Sequence, residues 1–414
     1  MTDKNGSARY AEKMQRVMDA VELRQPDRVP TALHATFWLA NYGGINCREM
    51  MYDYDKVSEI TRRALLDLDP DMFYPPHRVL IGPSIEKLGY KQLQWPGHGV
   101  EDDHPYQYLD REYMMADEYD DFIFDPTGFY LTKYLPRVFE AFEGFKELPA
   151  LPGLAYSALV AGVRGFASPR LGEAFAAVQK GAQEVERLAQ HSAAFMEEMG
   201  AMGYPATLGA GAMAPFDFFG DYLRGAKGIL TDMRRHPDKL LEAIEKAGVL
   251  ILRRTLTAGK ANPNKFVFIP IHWGPDAFMS HQQFMTFWWP SLHKLILGLI
   301  ENELIPVVLW EADCTKRLEW IGDIPRGKAV YWFERTDLVK AKEVLGDVVC
   351  LRGNVSPSLM TTGRPEEVEA ACRRLIETVG RDGGLILDCA FGIPDETPLE
   401  NARAMYHSVR KYGS

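Results

Sequence analysis

The chain has 414 residues, a formal charge of −10, 46% hydrophobic residues and five scattered cysteines. An acidic chain without clustered Lys and Arg excludes a nucleic-acid surface, an odd and scattered cysteine set excludes a disulfide framework, and a polar N-terminus without a long apolar run argues against export or membrane spanning. A soluble, cytoplasmic, reduced protein is expected, with one elaborated α/β domain over residues 1–414.

Met14, Val17, Met18 and Val21 recur at helical spacing, and Pro26 closes this segment as an N-terminal helical extension over 1–28. Val29 and Pro30 then lead into a first strand. Val57, Ile60, Ala64 and Leu65 mark a second amphipathic helix, ended by Asp69-Pro70 and followed by a short strand at Met72 to Tyr74 and a loop bearing His77. From Glu101 to Asp125 carboxylates interleave with Tyr106, Tyr108, Tyr113, Tyr119, Phe122 and Phe124, which reads as a solvated excursion with amphipathic ends.

Leu171 to Met199 is a long helix-favouring stretch stopped by Gly200 and Gly203, an expected outer helix. Gly209-Ala210-Gly211-Ala212 lacks the Gly-Lys-Ser/Thr of a phosphate loop and is read as small residues permitting close backbone approach. Pro237 to Arg254 predicts another helix, and Phe266 to Ile271 a buried strand ending at His272-Trp273-Gly274. Phe278 to Trp289 is denser in Met, Phe and Trp than an outer helix needs, which predicts a pocket wall or a subunit contact.

Ile305 to Trp310 predicts a strand ending in Glu311-Ala312-Asp313-Cys314, where two carboxylates and a thiol could ligate a divalent metal or handle protons. In the last fifth, V-V-C-L-R-G-N-V-S-P and G-G-L-I-L-D-C-A-F-G-I-P flank a helical stretch, a strand–loop–helix–strand unit that implies a parallel sheet. Its strand ends, Arg352 to Asn354 and Asp388 to Cys389, point to the edge where α/β proteins keep their chemistry. His272 leads the histidines as an acid, base or metal ligand, with Glu311 and Asn354 as further catalytic candidates. His34, His77, Trp273 and Phe391 are the substrate-binding candidates, and Cys47, Cys350 and Cys372 are read as packing residues.

These segments resemble the uroporphyrinogen decarboxylase superfamily, which holds decarboxylases of haem synthesis and zinc- and corrinoid-linked methyltransferases. Besides the tail, Arg24 to Pro30 looks like its opening R-x-P-D-R-V-P, and Leu223-Arg224-Gly225, Asp232-Met233 and His236-Pro237-Asp238-Lys239-Leu240 resemble its middle. The resemblance implies a (β/α)8 TIM barrel carrying the N-terminal extension and the acidic-aromatic excursion. Zinc methyltransferases of the superfamily have a His-x-Cys pair and a further Cys. Here Cys389 matches the last, while Glu311-x-Asp313 stands where His-x-Cys is expected, so Glu311, Asp313 and Cys389 are the implied ligands for zinc or another divalent metal.

The decarboxylase branch carries an arginine-rich M-R-Q-A-G-R segment, a Ser-Asp pair and a late His. At those places this chain has T-A-L-H-A-T-F-W-L-A-N-Y without arginine, Tyr74 to His77, and Phe391. A methyltransferase-like enzyme is therefore expected, moving a methyl group between a small substrate and a corrinoid on a partner protein, since no D-x-H-x-x-G motif is present. The alternatives are a decarboxylase or other lyase on a small carboxylic acid, and a non-catalytic corrinoid- or ligand-binding protein. A homodimer is a further candidate assembly.

Overall fold

The computed structural model describes residues 4–149 and 155–413. Its main sheet joins β3 (Ala210–Gly211), β4 (Phe266–Ile271), β5 (Ile305–Trp310), β6 (Val330–Phe333), β7 (Cys350–Val355) and β8 (Leu385–Cys389) in that order, every pair parallel. β1 (Ala32–Leu33) pairs in parallel with β2 (Met72–Phe73). Parallel bridges Thr31–Leu387 and Phe73–Ala206 tie this pair to the two edges of the main sheet, so the strands follow one another as in a TIM barrel.

Side-chain alternation along the strands sorts the residues into an inner and an outer set. Val267, Ile269, Val308, Trp310, Tyr331, Leu351 and Leu387 belong to the large core beneath the surrounding helices. Ala32, Met72, Phe266, Val307, Val330, Cys350 and Ile386 form a separate inner layer, which Val17, Ala20 and Val21 of the helix Lys4–Val21 cover. The N-terminal helix thus plugs one end of the strand layer. Beside that plug the R-x-P-D-R-V-P motif has a structural use: Arg16 grips Asp27, and Arg16 and Arg28 converge on the fully buried Asp71 at 2.6–2.8 Å.

The expected helix and strand positions hold at several places, including Phe266–Ile271, Ile305–Trp310 and the long helix Pro169–Ala201. The excursion differs from its solvated reading. Tyr113, Met114, Tyr119 and Phe122 are buried in the main core, and Tyr119 Oη donates to Asp232, which Arg224 also binds, at 2.8 and 2.6 Å. The carboxylates of Asp120 and Asp121 face outward and pair with Lys239 and Lys133, because burying the aromatic half is favourable whereas charged carboxylates keep their hydration at the surface. No described helix is long and apolar enough to cross a membrane.

Candidate metal and acid–base site

The loop after β3 opens at Pro215–Asp217 and widens over Phe218–Leu223, where Arg224 N–H donates to Phe219 O at 2.7 Å, five residues back. Such a wide turn brings Asp217 and Asp221 to one side. β4 delivers His272 to the same place. Asp217 Oδ2 accepts the backbone N–H of His272 at 2.7 Å and its Oδ1 accepts Trp288 Nε1–H at 2.6 Å. Asp221 Oδ2 lies 2.6 Å from His272 Nδ1, and its Oδ1 accepts Trp273 Nε1–H at 2.7 Å. On the other side of the ring, His272 Nε2 is 3.3 Å from Glu311 Oε1 at the end of β5. Gly220 makes this packing possible: a Cβ there would stand 2.4 Å from Trp273 Nε1.

The electrostatics follow from this crowding. Burial, reinforced by the charge of Asp221, pushes the Asp217 carboxyl up to about 7. For His272, burial alone would lower the pKa, but hydrogen bonds and charges from Asp221 and Glu311 outweigh it and push it up to about 11. The cluster therefore holds a cation, an imidazolium at neutral pH.

One potential ligand atom from each of Asp217, Asp221 and His272 lies within 4.8 Å of the others. Two carboxylates and an imidazole, with Glu311 adjacent, form a donor set that fits a divalent cation of oxygen and nitrogen preference once His272 gives up its proton.

This is not the ligand set expected from sequence. Glu311 belongs to the cluster, but Asp313 is exposed and spends its carboxylate on Thr315, accepting from N at 2.9 Å and Oγ1 at 2.6 Å. Cys389 is fully buried with Sγ 3.5 Å from Met405 Sδ, on the outer side of β8, whereas Asp388 points inward to Arg352. Strand alternation separates the two neighbours. Burial also holds the Cys389 thiol well above its ordinary pKa, against the thiolate a metal needs.

The other candidates take distinct positions. His34, just beyond β1, stacks on Tyr74 at 4.0 Å and lies 5.1 Å from Trp332 and 6.4 Å from Phe391, ring to ring. Burial and the nearby Arg352 hold it well below the ordinary histidine pKa, hence neutral. Arg352 is itself bonded to Asp388 at 2.6 and 2.9 Å, with its guanidinium 3.8 Å from the Trp332 ring centre. Phe391 is half exposed and Trp273 is drawn into the acidic cluster. Asn354 donates to Thr336 O at 2.8 Å, which anchors the loop after β6. His77 sits in the turn after β2, with Nδ1 buried and unbonded and its pKa lowered to about 4 by burial and Arg78. Sequence reasoning missed Asp217 and Asp221. Their signal was the D-x-x-x-D spacing just before Leu223-Arg224-Gly225.

Comparison with known proteins agrees with this architecture. The uroporphyrinogen decarboxylase from Mannheimia succiniciproducens is 28% identical over 178 residues, 42% of this chain and 48% of that protein. The enzyme of the same name from Pseudoalteromonas atlantica is 28% identical over 179 residues, with the same shares covered. The chain thus spans about half the length of these curated relatives. In fold it is similar to a methyltransferase from Methanosarcina mazei, with a TM-score of 0.59 and 15% identity over 97% of this chain and 98% of that one. The profile of the Uroporphyrinogen decarboxylase (URO-D) family matches residues 169–412, more than half of the chain and inclusive of Asp217, Asp221, His272 and Glu311, and the protein belongs to that family.

Proposed function

We propose that the protein is a methyltransferase of a single-domain, closed (β/α)8 barrel, moving a methyl group between a small substrate and a corrinoid carried by a partner protein. The observation that carries this reading is the grouping of Asp217, Asp221 and Glu311 around His272. Three carboxylates favour a cation and repel a polycarboxylate, and the buried guanidinium of Arg352 is committed to Asp388. A substrate with many carboxylates would leave charges unpaired there.

Asp217, Asp221 and His272 are the residues that would hold a divalent metal, which when bound supplies Lewis-acid stabilisation to an anion on the substrate's oxygen or sulfur. Trp288 and Trp273 fix the two carboxylates, and Asp221 fixes the imidazole. Glu311 is placed to accept or return a substrate proton. His34, Tyr74, Phe268 and Phe391 offer ring faces to the body of the substrate, with His34 uncharged.

Calorimetric titration with zinc and manganese, and methylation of free cob(I)alamin followed by its absorbance, test the reading. Asp221→Asn is expected to weaken metal binding about 10–100-fold and to lower methyl transfer with it. Release of coproporphyrinogen from uroporphyrinogen at a useful rate would overturn it. A second reading, decarboxylation of a small acid, draws on the names of the curated relatives and on Asp217, which can carry a proton near neutral pH. Carbon dioxide release in the absence of any methyl acceptor is its signature.

A further inference from the structure

Arg16 and Arg28 are spent on Asp71, and Arg352 on Asp388. Among the described residues the guanidinium of Arg78 has no hydrogen-bond or ion-pair partner, and the residue is exposed. An exposed arginine ordinarily sits on the outer surface, but strand register places this one elsewhere. Gly211, at the end of β3, pairs with Phe268 of β4, and residues in register on parallel strands share a face. Phe268 packs against the inner layer that contains Phe266. Gly211 therefore faces inward, and a Cβ there would stand 4.0 Å from Arg78 Nη2. The turn after β2 thus carries a free cation over the inner face of the strands, where β3 ends.

An aromatic slot adjoins it. His34 and Tyr74 stack at 4.0 Å with their planes 28° apart, and Phe268 meets Tyr74 at 6.4 Å and 68°, a floor with a wall standing on it. Tyr74 and Phe268 each keep part of their surface open, and Phe268 O lies 3.8 Å from the same Gly211 Cβ position that Arg78 approaches. We infer that Arg78 receives the carboxylate of the substrate while His34, Tyr74 and Phe268 hold its flat body, which makes the substrate class an aromatic monocarboxylate. A guanidinium takes a carboxylate through two parallel hydrogen bonds, and ring faces favour a flat unsaturated partner. His34, held neutral by burial and Arg352, adds no second cation. Arg78 offers one guanidinium, so a second acid group on the substrate would go unpaired there. With the acidic cluster as the reacting end, the part of the proposed function on which this inference rests, Arg78 anchors the other end of the substrate and selects for its charge.

Calorimetric titration of the full chain with benzoate and with benzamide, its uncharged isostere, tests the anchor. Benzoate is expected to bind at least about tenfold tighter than benzamide. Arg78→Gln, at an exposed position, should remove that preference while leaving benzamide binding and the circular dichroism unchanged. Phe268→Ala should weaken both ligands alike, and phthalate, with a second carboxylate, should bind more weakly than benzoate. The inference is overturned by a parent chain that does not bind benzoate, by equal binding of benzoate and benzamide, or by cyclohexanecarboxylate binding as tightly as benzoate. A benzoate preference that survives Arg78→Gln also overturns it, since the anion would then sit on another cation such as the His272 imidazolium. None of these titrations needs a metal or a methyl acceptor. A chain that binds benzoate through Arg78 yet transfers no methyl group keeps the anchor and loses only the proposed reaction.

Discussion

At the residue scale, Asp217 and Cys389 show how one position along the backbone decides a side chain's use. Asp217 is fully buried, held by the Trp288 indole and the His272 amide. Removing the indole hydrogen bond with Trp288→Phe leaves a carboxylate oxygen unpaired in the interior, which costs about 1–3 kcal/mol, and denaturant titration should show the loss. Cys389 faces Met405, so Cys389→Ala is expected to cost about 1 kcal/mol of stability and to leave metal content unchanged. A parallel fall in metal content would return the thiol to the ligand set. The sequence could not reveal this orientation. In Leu385–Cys389 every residue is buried, so the polar–apolar alternation that reports a strand's two faces is missing. Glu311 and His272 were legible because each is the first polar group after an unbroken apolar run. Asp217 and Asp221 were not, since a turn of Phe, Gly and Tyr around two acids reads equally as core edge or surface.

At the scale of elements, the excursion is fastened to the body by charges that its composition made look solvated. Glu118 receives Arg137 at 2.7 Å through both its oxygens, with Met115 N–H and Lys133 as further donors. The hydrogen bond from Arg137 leads the set that draws the Glu118 pKa down to about 2. A carboxyl lowered on folding stabilises fully above its unfolded pKa near 4.5 and loses that contribution as pH falls through about 2, a contribution on the order of 3 kcal/mol. Thermal unfolding of Glu118→Gln should therefore show a lower Tm at neutral pH and a flatter fall between pH 4.5 and 2 than the parent. The strands Phe266–Ile271 and Ile305–Trp310 were legible because apolar runs of that length end at polar or glycine-bearing residues. The four-residue β6 was not, since its placement depends on pairing with β5 and β7.

At the scale of the whole molecule, the parallel order of the strands was legible from the last two segments, while the use of the N-terminal helix as a plug was not. An amphipathic pattern reports that a face is buried but not against what. Asp71 ties the plug to the strands through Arg16 and Arg28, so Asp71→Ala strands two guanidinium groups and should cost about 3–5 kcal/mol, read as a drop in urea midpoint without a change in slope.

The two ends of the chain are also sewn together. Tyr406 Oη donates to Ala32 O at 2.9 Å, Val29 N–H donates to Gly413 O at 3.0 Å, and Leu387 N–H donates to Pro30 O at 2.8 Å. During synthesis on the ribosome, β1 emerges long before the partners that complete it. Until residues 385–413 have been made, the nascent chain carries open parallel edges and an uncovered apolar layer beneath Val17 and Val21. Pairing of β1 with β8 must then wait until residues 385–413 have been made, and a product stalled or truncated before them is a client for chaperones and proteases.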